Sequence, residues 1–118
     1  MHDATGLTGE QTTALAELIA ERFRVLGEPT RIRLLDSLRA GSATVGELQR
    51  ATGCSQQNVS KHLAVLLRAG LVSRSREGTF ARYAISDESV FELCEQVCGG
   101  MRRRLVELEE LLGAGPSR

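Results

Sequence analysis

The chain has 118 residues, of which 42% are hydrophobic and 3% aromatic, and its formal net charge at pH 7 is zero. This length is typical of one domain, and no run reaches the roughly 20 apolar residues that a membrane-spanning helix needs. The N-terminal residues have neither a basic nor an apolar segment, so we expect no secretory signal. Three cysteines without a disulfide-like spacing favour a reducing cytoplasm.

The first two helices are predicted from the spacing of apolar residues. Residues 1–9 are small and polar and are expected to form a loose tail. From Glu10 to Leu26 the spacing is helical, with apolar side chains at Leu15, Leu18, Ile19, Phe23 and Leu26. Pro29 ends the Gly-Glu-Pro break and suits the first turn of a second helix over residues 30–38. We expect that helix to leave Arg31 and Arg33 outside and to bury some combination of Ile32, Leu34, Leu35 and Leu38.

A short third helix and a longer fourth helix follow a turn at residues 40–42. Thr44 and Glu47 have the spacing of a capping box, so the third helix begins there and ends near Gly53. Ser55 can cap the fourth helix, which runs to about residue 69 and is stopped by Gly70. The predicted inner face of the fourth helix consists of Val59, Leu63, Leu66 and Leu67.

Two strands and a last helix complete the predicted fold. The strands cover residues 71–76 and 80–85, with a Glu-Gly-Thr turn between them. Ser86 or Asp87 can cap a helix from Glu88 to about Leu112, and residues 114–118 form a frayed end. The predicted fold is therefore mainly α with a small β-hairpin wing. It is one domain, residues 10–113, with five helices in a winged helix-turn-helix arrangement.

Positive charge is concentrated in one part of this neutral chain. Residues 55–86 contain five basic residues against one acid, whereas residues 1–54 and 87–118 both carry a net negative charge. A local field, rather than the net charge, steers the approach of a polyanion.

The exposed chemistry of this basic segment predicts contact with double-stranded DNA. The second helix of a helix-turn-helix enters the major groove with its N-terminal residues against base edges. Glutamine can pair with adenine, and lysine can reach guanine or a phosphate. The predicted contacts on the fourth helix are Ser55, Gln56, Gln57, Ser60, Lys61 and His62, and those on the wing are Arg74, Arg76 and Arg82. His62 lies at the border of two faces, so a structural hydrogen bond is an equal alternative to a phosphate contact.

Three stretches of the sequence resemble the ArsR/SmtB family of bacterial winged-helix repressors. They are LGEPTRIRLLDSL (26–38), VGELQRATGCSQQNVSKHLAVLLRAGLV (45–72) and REGTFARYAI (76–85). The resemblance implies a homodimer that binds an inverted-repeat operator, represses nearby genes and is released when a metal, metalloid or reactive sulfur species is sensed. It also implies a dimer interface between the first and last helices. The last helix carries a suitable apolar seam at Val90, Cys94, Val97, Met101, Leu108 and Leu111.

The sensor sites best known in the family are absent from this sequence. The helix before the turn, VGELQRA, has no cysteine, and neither has the second helix, RIRLLDSL. The last helix contains no histidine. The family's arsenic, reactive-sulfur and zinc sites therefore cannot be transferred to this chain.

Two cysteines on the last helix are the candidate sensor thiols. Cys94 and Cys98 are four residues apart, so their sulfur atoms share one helix face. They could bind As(III), Cd(II) or Zn(II) as an inducer, or could be oxidised, and Arg102 one turn later would favour a thiolate. The alternative is that both are small hydrophobic residues in a dimer core. Cys54, in the turn before the fourth helix, is expected to be a bystander.

Two classes of function other than a repressor are also compatible with the sequence. One is a thiol- or metal-handling protein that uses the winged helix only as a scaffold, and the other is a protein-interaction module without a DNA role. We predict that the chain is not an enzyme, because the sequence shows no Ser/His/Asp or Cys/His set, no paired acids in a cleft and no phosphate-binding glycine loop.

Overall fold

The computed structural model describes residues 6–113, so residues 1–5 and 114–118 of the predicted tails lie outside the described range. The described part contains five helices and three strands, and the predicted winged helix-turn-helix is confirmed. No helix of this part is long and apolar enough to cross a membrane. The elements in chain order are α1 (Gly9–Leu26), α2 (Pro29–Leu38), β1 (Ala43–Thr44), α3 (Val45–Thr52), α4 (Gln56–Arg68), β2 (Val72–Glu77), β3 (Phe80–Ile85) and α5 (Glu88–Leu111).

The helix boundaries follow from local capping residues. Thr44 and Glu47 form the predicted capping box of α3, and Ser55 caps α4 by accepting a hydrogen bond from the N–H of Asn58 at 3.1 Å. Thr8 forms a further capping box with Gln11, so α1 starts at Gly9, one residue earlier than predicted. Gly53 ends α3 with φ of 74°, a left-handed conformation that glycine adopts without steric cost.

The core lies where α2, α3 and α4 pack against the sheet. Fully buried leucines dominate it, which agrees with the low aromatic content. The residues predicted to be buried on α2 and α4 are buried, except at the edges of each face. Ile32 is 43% exposed, Thr30 is buried on α2 instead, and Leu67 is only partly buried. The most buried side chains of the core are Leu34, Leu35, Leu48, Val59, Leu63, Leu66 and Leu71.

The sheet consists of the predicted hairpin and one additional short strand. β2 pairs with β3 in antiparallel register, from Val72 opposite Ile85 to Glu77 opposite Phe80. β1 pairs with the other edge of β3, so the strand order is β1-β3-β2. β1 contains only two residues, too few for an alternating pattern, and the sequence did not predict it. This strand attaches the wing to the start of α3.

The terminal helices α1 and α5 leave apolar surface uncovered. None of the 18 residues of α1 is buried, and α5 buries only Val90 and Cys94 of the predicted seam. The radius of gyration is 17.7 Å, whereas a compact domain of this length would have about 13.5 Å. The rest of the α5 seam is exposed and includes Leu105, which the sequence prediction omitted; its members are Val97, Met101, Leu105, Leu108 and Leu111.

Candidate nucleic-acid interface and cysteine site

The N-terminal face of α4 presents polar side chains to solvent. Burial of Val59, Leu63 and Leu66 fixes the rotation of the helix, so that the opposite side points away from the core. The side chains exposed on that side, as predicted, are Ser55, Gln56, Gln57, Ser60 and Lys61. Lys61 has no ion-pair partner among residues 6–113, which leaves its ammonium group available to an anion.

His62 is not part of this exposed face, which favours the structural hydrogen bond over the phosphate contact, the two alternatives that the sequence left open. The residue is 7% exposed, and its Nδ1 atom accepts a hydrogen bond from Nε of Arg31 at 3.2 Å. The same nitrogen lies 3.4 Å from a carboxylate oxygen of Glu28. Arg31, predicted to lie outside, is partly buried and also donates to the carbonyl oxygen of Val25 at 2.9 Å. Both side chains therefore join α4 to the α1–α2 connection.

The three wing arginines have two different environments. Arg74 and Arg76 are exposed on β2, and neither side chain forms a hydrogen bond or an ion pair within the described range. Arg82 pairs opposite Ser75 in β2, so it extends from the other face of the hairpin. It is therefore positioned differently from Arg74 and Arg76.

Arg82 is held by contacts within the chain, unlike the other two arginines that the sequence predicted to contact DNA. Its guanidinium group donates to Oγ and to the carbonyl oxygen of Ser42, both at 3.3 Å. It also lies 3.3 Å from a carboxylate oxygen of Glu47 and 3.6 Å from one of Glu77. These contacts attach the wing to the turn before α3 and to α3 itself.

The two cysteines of α5 lie next to each other but differ in exposure. Cys94 is 8% exposed and belongs to the core, whereas Cys98 is partly buried at its edge. Burial raises the pKa of the Cys94 thiol, and the neighbouring Cys98 adds to the effect. No group of three or more His, Cys, Asp or Glu side chains that could hold a metal ion occurs among residues 6–113.

Arg102 does not serve as a partner for these thiols, contrary to the sequence prediction. Its Nη2 atom is 2.5 Å from a carboxylate oxygen of Asp36 in α2. Asp36 also pairs with Arg39, which in turn contacts Glu95 of α5 at 3.1 Å. These ion pairs fasten α5 to α2 beside the cysteines.

Cys54 lies between α3 and α4 and is partly buried. Its Sγ atom is 3.2 Å from Nη2 of Arg33, whose Nη1 atom donates to the carbonyl oxygen of Thr52 at 3.2 Å. The sequence prediction missed this contact, as it missed the contact between Arg31 and His62, because the residues joined are 21 and 31 positions apart. The structure gives Cys54 a place in the turn, separate from the two α5 thiols.

Comparison with known proteins agrees with this architecture. Residues 26–74 match a family model described as a helix-turn-helix domain. The chain is 37% identical over 86 residues to the probable mercury resistance operon repressor of Streptomyces lividans, covering 73% of this chain and 69% of the relative. It is 34% identical over 110 residues to the uncharacterised HTH-type transcriptional regulator Rv0081 of Mycobacterium tuberculosis (strain ATCC 25618 / H37Rv). This similarity covers 89% of this chain and 96% of the relative.

A solved structure gives the same fold. It is the homodimeric winged helix-turn-helix DNA-binding domain (fragment 1-100) Mb0332 from Mycobacterium bovis, a possible ArsR-family transcriptional regulator. The similarity has a TM-score of 0.72 at 30% sequence identity and covers 85% of this chain and 93% of the other.

The fold and these relatives define the chain as a winged helix-turn-helix transcriptional regulator that binds DNA. It belongs to the ArsR/SmtB family of repressors, as the sequence motifs predicted. The prediction that the chain is not an enzyme is confirmed by this membership.

Proposed function

We propose that this repressor is a cytoplasmic homodimer that reads an inverted-repeat operator through α4 and the wing. The polar face of α4 carries two glutamines and one lysine without an internal ion pair, which suits base edges and phosphate. Arg74 and Arg76 would contact the DNA backbone or the adjacent minor groove. Ser55 and Ser60 complete the proposed contact surface, whereas His62 and Arg82 support it from within.

Dimerisation through α1 and α5 is supported by the apolar surface that these helices leave uncovered. On α1 this surface includes Leu18 and Phe23, and on α5 it includes Met101 and Leu108, all more than half exposed. Contiguous apolar surface of this kind marks an interaction site. The similar structure from M. bovis is described as homodimeric, which fits a two-fold arrangement with two recognition helices.

Release from the operator is proposed to occur through a thiol-reactive inducer at Cys94 and Cys98. The two thiols lie on the helix that would form the dimer interface, so a bond between them and an inducer could change the spacing of the two recognition helices. As(III), Cd(II), Zn(II), and reactive sulfur or oxidants are the candidate classes. The mercury-related name of the S. lividans relative fits a soft thiophilic inducer.

A second candidate function is a repressor whose cysteines are purely structural. The burial of Cys94 and the raised pKa of its thiol favour this reading, because a protonated thiol is a poor nucleophile and a poor metal ligand.

Operator selection from random duplexes, followed by footprinting, tests the DNA-binding proposal. We expect protected half-sites about one helical turn apart with two-fold symmetry. Leu108→Glu should convert the dimer to a monomer in light scattering and abolish the symmetric footprint, whereas Phe80→Glu, at an exposed apolar residue of the wing, should stay dimeric. A monomeric wild type or an asymmetric footprint would contradict the proposal.

Challenge of the operator complex tests the sensor proposal. As(III), Cd(II), Zn(II), peroxide and persulfide are each added to the wild type and to the double variant Cys94→Ser/Cys98→Ser. An agent that releases the wild type and leaves the double variant bound supports the proposal. Identical responses of the two proteins to every agent would favour structural cysteines.

A further inference from the structure

An open groove of about 620 Å³ lies between the wing, α3 and the first residue of α4. It is continuous with the exposed face of α4, because Gln56 belongs to both surfaces. The groove therefore joins the helix proposed to read DNA with the hairpin. The side chains that decide its chemistry are Glu47, Gln49, Arg50, Gln56, Thr79 and Phe80.

Phe80 is an apolar side chain of this groove that the subunit leaves 65% exposed. It lies two residues before Arg82 on β3, so both side chains extend from the same face of the hairpin. In residues 6–113 every other exposed large apolar side chain lies on α1, on α2, or on α5 and its C-cap. The dimer contact proposed above does not account for Phe80, and its ring is available to a partner that enters the groove.

Arg50 supplies an available positive charge to the same groove. The lining contains two arginines and two glutamates, so its formal charge is zero. Arg82 lies 3.3 Å from a carboxylate oxygen of Glu47 and 3.6 Å from one of Glu77. The exposed side chain of Arg50, by contrast, forms no hydrogen bond and no ion pair within the described range. Its guanidinium group can therefore bind an anion without giving up a partner.

We propose that this groove receives the sugar-phosphate backbone of one DNA strand, with Arg50 on a phosphate and Phe80 against a deoxyribose. The proposal rests on the function proposed above, with α4 in the major groove and the wing at the adjacent minor groove. In B-DNA the backbone of one strand separates those two grooves, so it has to cross the space between α4 and the wing. The lining, with Gln56 from α4 and Phe80 from the wing, identifies the groove as that space.

The chemistry of the lining suits a sugar-phosphate strand. Phosphate oxygens accept hydrogen bonds from guanidinium, amide and hydroxyl groups, which Arg50, Gln49 and Thr79 carry. The carbon atoms of deoxyribose offer an apolar surface to the phenyl ring. A protein bound here would instead cover Gln56 and compete with DNA for the face of α4. Because sugar and phosphate are the same in every nucleotide, both contacts should act on all sequences alike.

Fluorescence anisotropy with an operator duplex and an unrelated duplex, across a salt series, tests the two contacts. Arg50→Ala should weaken binding to both duplexes and reduce the salt-dependence slope by about one. Phe80→Ala should lose roughly tenfold on both and keep the wild-type slope, because it removes apolar contact and no charge. Phe80→Leu should recover part of that loss. Arg68→Ala, at an exposed arginine outside the groove, is the control and should keep the wild-type affinity.

Calorimetry and light scattering check that these variants are folded and dimeric. Both side chains are exposed, so the melting temperatures should match that of the wild type. Wild-type affinity and slope in Arg50→Ala and Phe80→Ala would overturn the proposal. A loss in Phe80→Ala that depends on the base sequence would also overturn it, because a sugar contact carries no sequence information.

Neutral methylphosphonate groups, placed one at a time along an operator half-site, locate the contact with the wild-type protein. At one position the loss of affinity should equal that of Arg50→Ala, and Arg50→Ala should lose no more on that DNA. This position should lie between the segment protected by α4 and the segment protected by the wing. Additive losses at every position would overturn the phosphate contact.

Gln57→Ala and Lys61→Ala, measured in parallel, separate this inference from the function proposed for α4. Losses in these two variants, with normal binding by Arg50→Ala and Phe80→Ala, would overturn the groove and leave α4 as the reading helix. The reverse result would support the groove contact and contradict the proposed role of the α4 face.

Discussion

Nε of Arg31 donates a hydrogen bond to Nδ1 of His62, and the two atoms are 3.2 Å apart. This contact joins the first turn of α2 to the inner side of the recognition helix α4. Because Arg31 also binds the carbonyl oxygen of Val25 near the end of α1, one side chain links the helix proposed for dimerisation with the helix proposed to read DNA.

Replacement of Arg31 should therefore loosen α4. Arg31→Ala leaves Nδ1 of the buried His62 and the Val25 carbonyl without this donor, and we expect a loss of about 1–3 kcal/mol in the free energy of unfolding, measured with urea. Arg24→Ala removes an exposed ion pair with Glu21 and should cost less than about 1 kcal/mol. Equal stability of the two variants would contradict a linking role.

The exposed face of α4 predicts two separable effects on DNA binding. Lys61→Ala should weaken binding to all sequences and reduce the salt-dependence slope by about one, because one phosphate contact is lost. Gln57→Ala should instead alter the preferred bases. Fluorescence anisotropy across a salt series measures both, and Arg68→Ala, at the opposite end of α4, is the control. If Lys61→Ala lost no more affinity than Arg68→Ala, the proposal that Lys61 contacts DNA would be wrong.

The wing arginines should separate into DNA-contacting and structural residues. The double variant Arg74→Ala/Arg76→Ala should lose operator affinity and retain the wild-type melting temperature, since neither side chain has an internal partner in residues 6–113. Arg82→Ala should lower the melting temperature, because it removes the contacts with Ser42 and Glu47. Calorimetry and anisotropy on both proteins check this; a destabilised double variant with normal affinity would reverse the assignment.

Carboxylates at helix starts predict a loss of stability in acid. Hydrogen bonds from Thr44 lower the pKa of Glu47, and those from Ser89 and the N–H of Val90 lower the pKa of Asp87. At Glu28 desolvation opposes the shift, but the N–H groups of Thr30 and Arg31 outweigh it and lower the pKa. Each folded-state pKa lies below the unfolded value, so the stabilisation is complete above about pH 4.5 and disappears as the pH falls through the folded pKa.

Urea unfolding between pH 7 and pH 3 measures this acid effect. Glu47→Gln keeps a capping partner for the N–H of Thr44 but cannot titrate, so its stability should fall less steeply with acid than that of the wild type. Glu110→Gln, at an exposed residue of α5, serves as the control and should follow the wild-type curve. Parallel curves for all three proteins would show that the cap contributes nothing to acid sensitivity.

Local signals made much of this fold predictable from the sequence. Some signals depend only on residues a few positions apart, and the structure confirms them. They are the capping box of Thr44 and Glu47, the N-cap at Ser55 and the helix end at Gly70. Helical spacing also identified the buried face of α4. At the edge of α2 it could not separate Ile32 from Leu35, because both lie within the same apolar arc of the helix.

The contacts that correct the site depend on tertiary structure. His62 and Arg31 are 31 residues apart, and no periodicity in the sequence indicates that they meet. The seam of α5 poses a related problem, since Cys94, which faces its own domain, and Met101, which faces solvent, follow one spacing. The spacing of apolar residues shows that a helix face is apolar, but it does not show whether that face packs within its own domain or stays exposed.

The uncovered apolar surface of α1 and α5 has a consequence for gene dosage. If two subunits must associate before an operator is occupied, the amount of active repressor at low expression rises with the square of the subunit concentration. A twofold fall in synthesis would then reduce the occupied form about fourfold. The strength of the dimer contact, as well as any inducer, would set the expression level at which the regulated promoter opens.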